Sequence, residues 1–204
     1  PTRHKILDGI YAHHGLTVYN YGYFIDQKEF KLWGVKKDID ILMYGYIHPA
    51  MYPLRLKIKQ VLDWMIKNTQ YKVKIIDHPG YQDKAISLEL PRDATLSELI
   101  ARSKFCIATS SVKKILLKKY MEIPMSGTIV IGDIPPDYDG VLRGNVVELM
   151  QEMSLNDIAR IILDACAGKY NHLNGKSELQ EYMLKNHSFD ASYHKLNEII
   201  AKVL

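Results

Sequence analysis

The stretch from Phe105 to Asp133, FCIATSSVKKILLKKYMEIPMSGTIVIGD, gathers hydroxyls, lysines and a carboxylate at spacings that could do chemistry. It reads as a buried strand, a Ser-capped helix, a Gly-containing turn and a second buried strand. On that frame Ser110 and Ser111 open the helix, Lys113 and Lys114 sit in its first turn, and Glu122 closes it ahead of Gly127. Lysines in a first turn oppose the helix macrodipole, which favours anions there. A bound anion would justify them, because free backbone N–H groups at a helix start already suit phosphate. A carboxylate at the far end, before a small-residue turn, could grip a sugar diol. Together the two ends imply a nucleotide-sugar. The plainer alternatives are lysines solvated on one helix face, and a helix-end acid tolerated at a cost of about 0.3–1 kcal/mol.

The elements that must position these groups alternate along the chain. Ile39–Gly45 is an apolar run with β-type residues, hence a buried strand. Pro53 suits a helix first turn, and Leu54, Ile58, Val61, Leu62 and Met65 continue at helical spacing through Asn68. Lys72–Asp77 reads as the next strand, ending at the turn signature His78-Pro79-Gly80-Tyr81. Ile86–Leu90 is a candidate short strand. Thr95 and Glu98 form a capping box for a helix through Ser103. Phe105–Thr109 and Thr128–Gly132 are the strands around the central helix, and Val146–Leu149 is a candidate last one. Ser154 with Asp157 caps a helix through Ala167, and helices over Glu178–Asn186 and Ser188–Leu204 close the chain. Strands separated by helices predict an α/β fold, a Rossmann-like, doubly wound, mostly parallel sheet with C-terminal helices. Ligands bind such sheets at the carboxyl ends of strands, so the turns after Gly45, Asp77, Thr109 and Gly132 are the places to look.

With 204 residues, 47% hydrophobic and 25% charged, the chain can bury a real core. The formal charge of +4 is mild, and the lysines are spread among acids instead of forming the dense stripe of a nucleic-acid binder. Two cysteines, Cys106 in an apolar strand and Cys166 on an apolar helix face, make no disulfide framework and suggest a reducing compartment. No apolar run approaches the ~18 residues of a membrane span. Residues 1–36 are an aromatic-rich lead-in, with a candidate strand near Thr17–Tyr21, and residues 37–204 form the regular domain. The chain opens on Pro1, as a piece of a larger polypeptide would.

MEIPMSGTIVIGD is similar to the segment of GT-B glycosyltransferases in which a Glu, small or apolar residues and a Gly precede a strand. IDILMYGYIHPAMYPLR resembles the opening of that family's C-terminal half, and NHSFDASYHKLNEIIAKVL its helical tail. The resemblance covers roughly Lys37 to Leu204. It implies a nucleotide-sugar-binding domain that uses a UDP-linked donor and needs no metal or other cofactor; the reducing compartment that the cysteines suggest is read as the cytoplasm (a host's, if the chain is viral). Glu122 would hold the ribose hydroxyls, Arg55 would face the diphosphate, and Gly45 with Tyr46 would let backbone approach it. Ser110, Ser111 and Lys113 would lie near the phosphates or the sugar, with Gly127 in the turn behind Glu122. The base would rest near Ser87–Pro91, and His78 and Tyr81 would edge the donor.

Two departures qualify that picture. Retaining members carry a second carboxylate eight residues before the ribose-binding one; Lys114 stands there, which favours inversion. An inverting transfer to a glycan hydroxyl needs a general base, for which His13, His14 and Asp8 are the candidates. The lead-in is also too short for an acceptor domain, so either the acceptor site is minimal or other domains of the same polypeptide provide it. Asp137 and Asp139 sit in IPPDYDG, where prolines and a glycine explain a polar turn without an ion. The rival function is a non-catalytic nucleotide- or carbohydrate-binding module.

Overall fold

A computed structural model describes residues 13, 14, 17, 19, 21–77, 95–173 and 178–203. Its sheet has five parallel strands in the order β2-β1-β3-β4-β5. These are β1 (Ile39–Gly45), β2 (Val73–Asp77), β3 (Ser103–Ile107), β4 (Ile129–Gly132) and β5 (Val147–Glu148). The helices are α1 (Pro53–Asn68), α2 (Leu96–Ala101), α3 (Lys119–Met125), α4 (Asp139–Leu142), α5 (Leu155–Cys166), α6 (Glu178–His187) and α7 (Phe189–Val203). The expected doubly wound α/β architecture is therefore present.

Strand alternation sends neighbouring residues to opposite faces, and each face has its own core. Ile41, Met43, Phe105, Ile107, Ile129 and Ile131 meet α1 and α5, whose apolar stripes include Leu54, Ile58, Leu62, Ile158 and Ile162. Leu42, Tyr44, Cys106, Ala108 and Val130 face the other way, onto Ile100, Tyr120, Met121, Ile123 and Met183. Ile25 and Phe30 of the lead-in join this second core, and Ile25 N–H donates to His187 O at 2.8 Å. The described residues 17, 19 and 21 hold no strand, and the candidate strand over Ile86–Leu90 lies outside the described residues.

The chain runs from β1 to β2 on one side and then returns to β3 on the other. That reversal opens a crevice beyond the carboxyl ends of β1 and β3, the position where open α/β sheets take ligands.

One expectation is corrected. The helix predicted to start at Ser110 starts at Lys119, and residues 108–118 form a loop. Ser110 donates its N–H (2.7 Å) and its hydroxyl to the buried Asp133 carboxylate at the end of β4. Val112 N–H bonds Met51 O at 2.9 Å, and Lys114 takes φ 54°, which no helix interior accepts. Local propensity favoured a helix here; the non-local carboxylate prevailed.

Candidate functional site

A cleft of about 410 Å³ fills the crevice. β1 supplies Tyr44, Gly45 and, just beyond it, Tyr46; α1 supplies Arg55; α3 supplies Lys119 and Glu122; Leu96 and Leu117 add apolar wall.

Arg55 faces inward from the first turn of α1 and is only 3% exposed. Its Nε donates to Thr109 Oγ1 (2.9 Å), Nη2 to Thr109 O (2.9 Å) and Nη1 to Tyr46 O (2.7 Å). The guanidinium thereby ties the loop after β1 to the loop after β3, and it lies 4.0 Å from the Tyr52 ring centroid. Burial lowers its basicity, yet an arginine stays charged at neutral pH.

Gly45 ends β1 at φ 98°, a conformation that side chains resist. A Cβ there would stand 2.8 Å from Lys119 Nζ and 4.0 Å from Arg55 Nη1. The Gly45 backbone is thus bare between two cations. Lys119 Nζ donates to Tyr44 O and lies 4.0 Å from the Tyr44 ring centroid. Burial, followed by the nearby Arg55 charge, pushes its pKa down to about 7.

Glu122 is half-buried, and one of its oxygens, Oε2, accepts the Tyr44 hydroxyl at 2.8 Å. It lies in the first turn of α3 and not at the carboxyl end of a helix, which corrects its expected setting. A carboxylate at a helix start is favoured as an anion. Burial outweighs this and the Tyr44 bond, and raises the Glu122 pKa.

Gly45, Tyr46, Arg55 and Glu122, all predicted from sequence, therefore share one cleft. Ser110 and Ser111 do not open a helix: Ser110 is spent on Asp133, and Ser111 Oγ accepts Lys113 N–H at 3.2 Å. Lys113 is exposed on the loop, and Lys114 Nζ reaches Asp133 at 3.5 Å. Gly127, at φ 68°, follows α3 at the amino end of β4, where a Cβ would run into Leu32. It lies at the sheet edge away from the cleft. His13 and His14 are exposed, with ring centroids 5.3 Å apart, and neither lines the cleft. Asp8, His78, Tyr81 and the Ser87–Pro91 stretch lie outside the described residues.

Sequence reasoning missed Tyr44, Thr109, Lys119 and Asp133. Asp133 had a signal, an acid directly after a buried strand at a carboxyl-edge turn. It also accepts the Tyr120 hydroxyl at 3.0 Å. Lys119 had none, because the longer expected helix left it one of four lysines on the same helix. Among the described residues no three His, Cys, Asp or Glu side chains group to hold a metal ion. Asp139 is paired with Arg143 at 2.5 Å. No described helix is long and apolar enough to cross a membrane.

No protein-family model and no curated protein matches the chain. Solved structures do. The pneumococcal O-GlcNAc transferase GtfA, crystallised with UDP and GlcNAc, superposes with a TM-score of 0.62 at 11% identity, covering 98% of this chain and 43% of that one. The GtfA/B complex gives a TM-score of 0.60 at 12% identity with the same coverage. The chain spans less than half the length of these neighbours. In fold, it resembles one half of a GT-B glycosyltransferase.

Proposed function

We propose that this chain is the nucleotide-sugar-binding domain of a glycosyltransferase. The cleft between β1 and β3 takes a nucleoside-diphosphate sugar, UDP-linked, and the domain supports transfer of a hexosyl or deoxyhexosyl group to a glycan hydroxyl. The observation that carries this reading is the convergence of one half-buried carboxylate, Glu122, and two cations, Arg55 and Lys119, around a bare Gly45 at the sheet's switch point. The Tyr44 hydroxyl fixes one Glu122 oxygen, leaving the other to accept ribose hydroxyls. Gly45 gives the diphosphate access to backbone, and the two cations stabilise charge on the departing diphosphate without a metal. GtfA, whose fold this chain shares in part, is described with UDP bound.

Inversion follows from Lys114 standing where retaining relatives would need a carboxylate. The base then comes from outside the cleft, from Asp8, His13, His14 or another domain. The 43% coverage favours a second reading, a nucleotide-binding module without catalysis of its own. Sugar transfer or donor hydrolysis by the isolated chain would exclude that alternative.

Calorimetry with UDP and GDP tests the main reading. UDP should bind, and Glu122→Ala should weaken it by at least about tenfold, the loss of a charge-assisted hydrogen bond. Absence of binding by either nucleotide, or a Glu122→Ala variant with unchanged affinity, would refute it.

A further inference from the structure

We propose that Lys119 is the mobile phosphate ligand of the cleft, parked on the Tyr44 carbonyl when the site is empty and transferred to the diphosphate when it fills. The inference rests on the reading of the cleft as a nucleoside-diphosphate site, and it concerns a residue that the sequence pattern did not single out.

The two cations beside Gly45 are unequal. Arg55 has three of its five N–H groups committed to Thr109 and Tyr46, which belong to two different loops. It cannot move without releasing both. Lys119 holds one described backbone oxygen, Tyr44 O, from a flexible four-carbon stem. It is half-buried, its ammonium faces the Tyr44 ring, and it approaches the bare side of Gly45 more closely than Arg55 does. A ligand oxygen entering at Gly45 meets Lys119 first. Exchange of a neutral carbonyl for a phosphate oxygen turns an ordinary charged hydrogen bond into a doubly charged one, which is shorter and stronger. Arg55 is then the fixed frame and Lys119 the moving contact.

Other ionisable groups surround this ammonium. Arg55 from α1 repels it, while Glu122 on its own helix and the Cys106 thiol of β3 favour its charged form, and Tyr44 of β1 touches it. Lys118 lines the same cleft. Desolvation dominates, so above pH 7 the empty cleft holds Lys119 increasingly as a neutral amine. A diphosphate at 3 Å range favours the ammonium, so binding must draw a proton from solvent. The proton goes to Lys119 Nζ, and no bond is made or broken in the ligand.

The experiment is titration calorimetry of the whole chain with UDP, GDP and uridine between pH 6.5 and 9, in two buffers of different ionisation enthalpy. UDP affinity should fall by up to about tenfold per pH unit above pH 7, with proton uptake approaching one per UDP at pH 8.5. Lys119→Met should weaken UDP at pH 7 by about tenfold or more, abolish the uptake and leave uridine affinity unchanged. Lys119→Arg should restore UDP binding and remove its pH dependence. Thermal melts establish that each variant is folded. If wild type binds UDP without proton uptake, or Lys119→Met binds it as wild type does, Lys119 is not the ligand and the cleft reading stands. If wild type binds neither UDP nor GDP, both readings fall together.

Discussion

The two edges of the sheet both bury cations, and they treat them differently. At the amino edge, Lys37 Nζ donates to Ser103 O (2.7 Å), Thr128 Oγ1 (3.1 Å) and Ala101 O (3.2 Å). Its neighbours are ion pairs, Arg102 with Asp38 and Lys104 with Asp40, both at 2.7 Å. At the carboxyl edge, the described partners of Arg55 and Lys119 are neutral oxygens and tyrosine rings. Lys37 apart, the amino edge pairs its cations with carboxylates, whereas the carboxyl edge sets two cations and one carboxylate, Glu122, around a cleft. Uncompensated buried charge is expensive in a folded protein and cheap once an anion arrives. The difference therefore separates a structural edge from a binding edge.

The comparison is broken most forcefully at Arg55. Arg55→Met removes the guanidinium donor from Tyr46 O, Thr109 O and Thr109 Oγ1 and should cost roughly 3–5 kcal/mol of stability, read by urea unfolding. A loss under about 1 kcal/mol would mean the two loops are held by something else. On the amino edge, Lys37→Met should cost about 1–3 kcal/mol, since three acceptors lose one donor, and should leave UDP affinity unchanged. The Lys37 pKa is lowered by burial to about 8, and Lys37 lines a separate cleft of about 410 Å³ with Lys104, Cys166 and Asn171.

Glu122→Gln sharpens the contrast in the opposite direction. Burial raises the Glu122 pKa, so the folded state holds its proton more firmly than the unfolded chain does. Ionisation at neutral pH consequently opposes folding, fully above the raised pKa, and the penalty disappears as pH falls toward the unfolded value of 4.5. The Gln variant should melt roughly 2–4 °C above wild type at pH 7.5, with the gap closing in acid, while losing UDP affinity. A variant that loses both stability and binding would make Glu122 a structural residue.

Legibility in the sequence followed the range of the interactions involved. β1 and α1 were readable to the residue, because an uninterrupted apolar strand and a Pro-started helical stripe are local patterns. α7, expected over Ser188–Leu204, runs from Phe189 to Val203. The segment after β3 was not. KKILLKKYM has helical propensity throughout, but Ser110 is fixed by Asp133, 23 residues away, and that bond sets where α3 can begin. With the helix start at Lys119, that lysine becomes the cleft's second cation, and Glu122 changes from the last turn to the first. Gly45, Arg55 and Glu122 were legible as edge residues by type and position. Thr109 and Asp133 became visible only through partners distant in sequence.

The smallest expected effect tests the closed edge. Arg102 binds Asp38 through Nε–Oδ1 (2.9 Å) and Nη2–Oδ2 (2.7 Å), a two-point contact between side chains about a third exposed. Asp38→Asn keeps the shape and removes the charge, so the loss should stay under about 1 kcal/mol and shrink in high salt. The Arg102 bond holds the Asp38 carboxyl below its ordinary 3.8, so the pair stabilises above that pH and its contribution fades as acid protonates the carboxylate. Wild type and Asp38→Asn should therefore differ at pH 7 and converge in strong acid. UDP affinity should not change, because the pair lies at the sheet edge opposite the cleft. A shift in UDP affinity beyond about twofold would show that the amino edge shapes the binding edge, and the division between them would have to be redrawn as one coupled network.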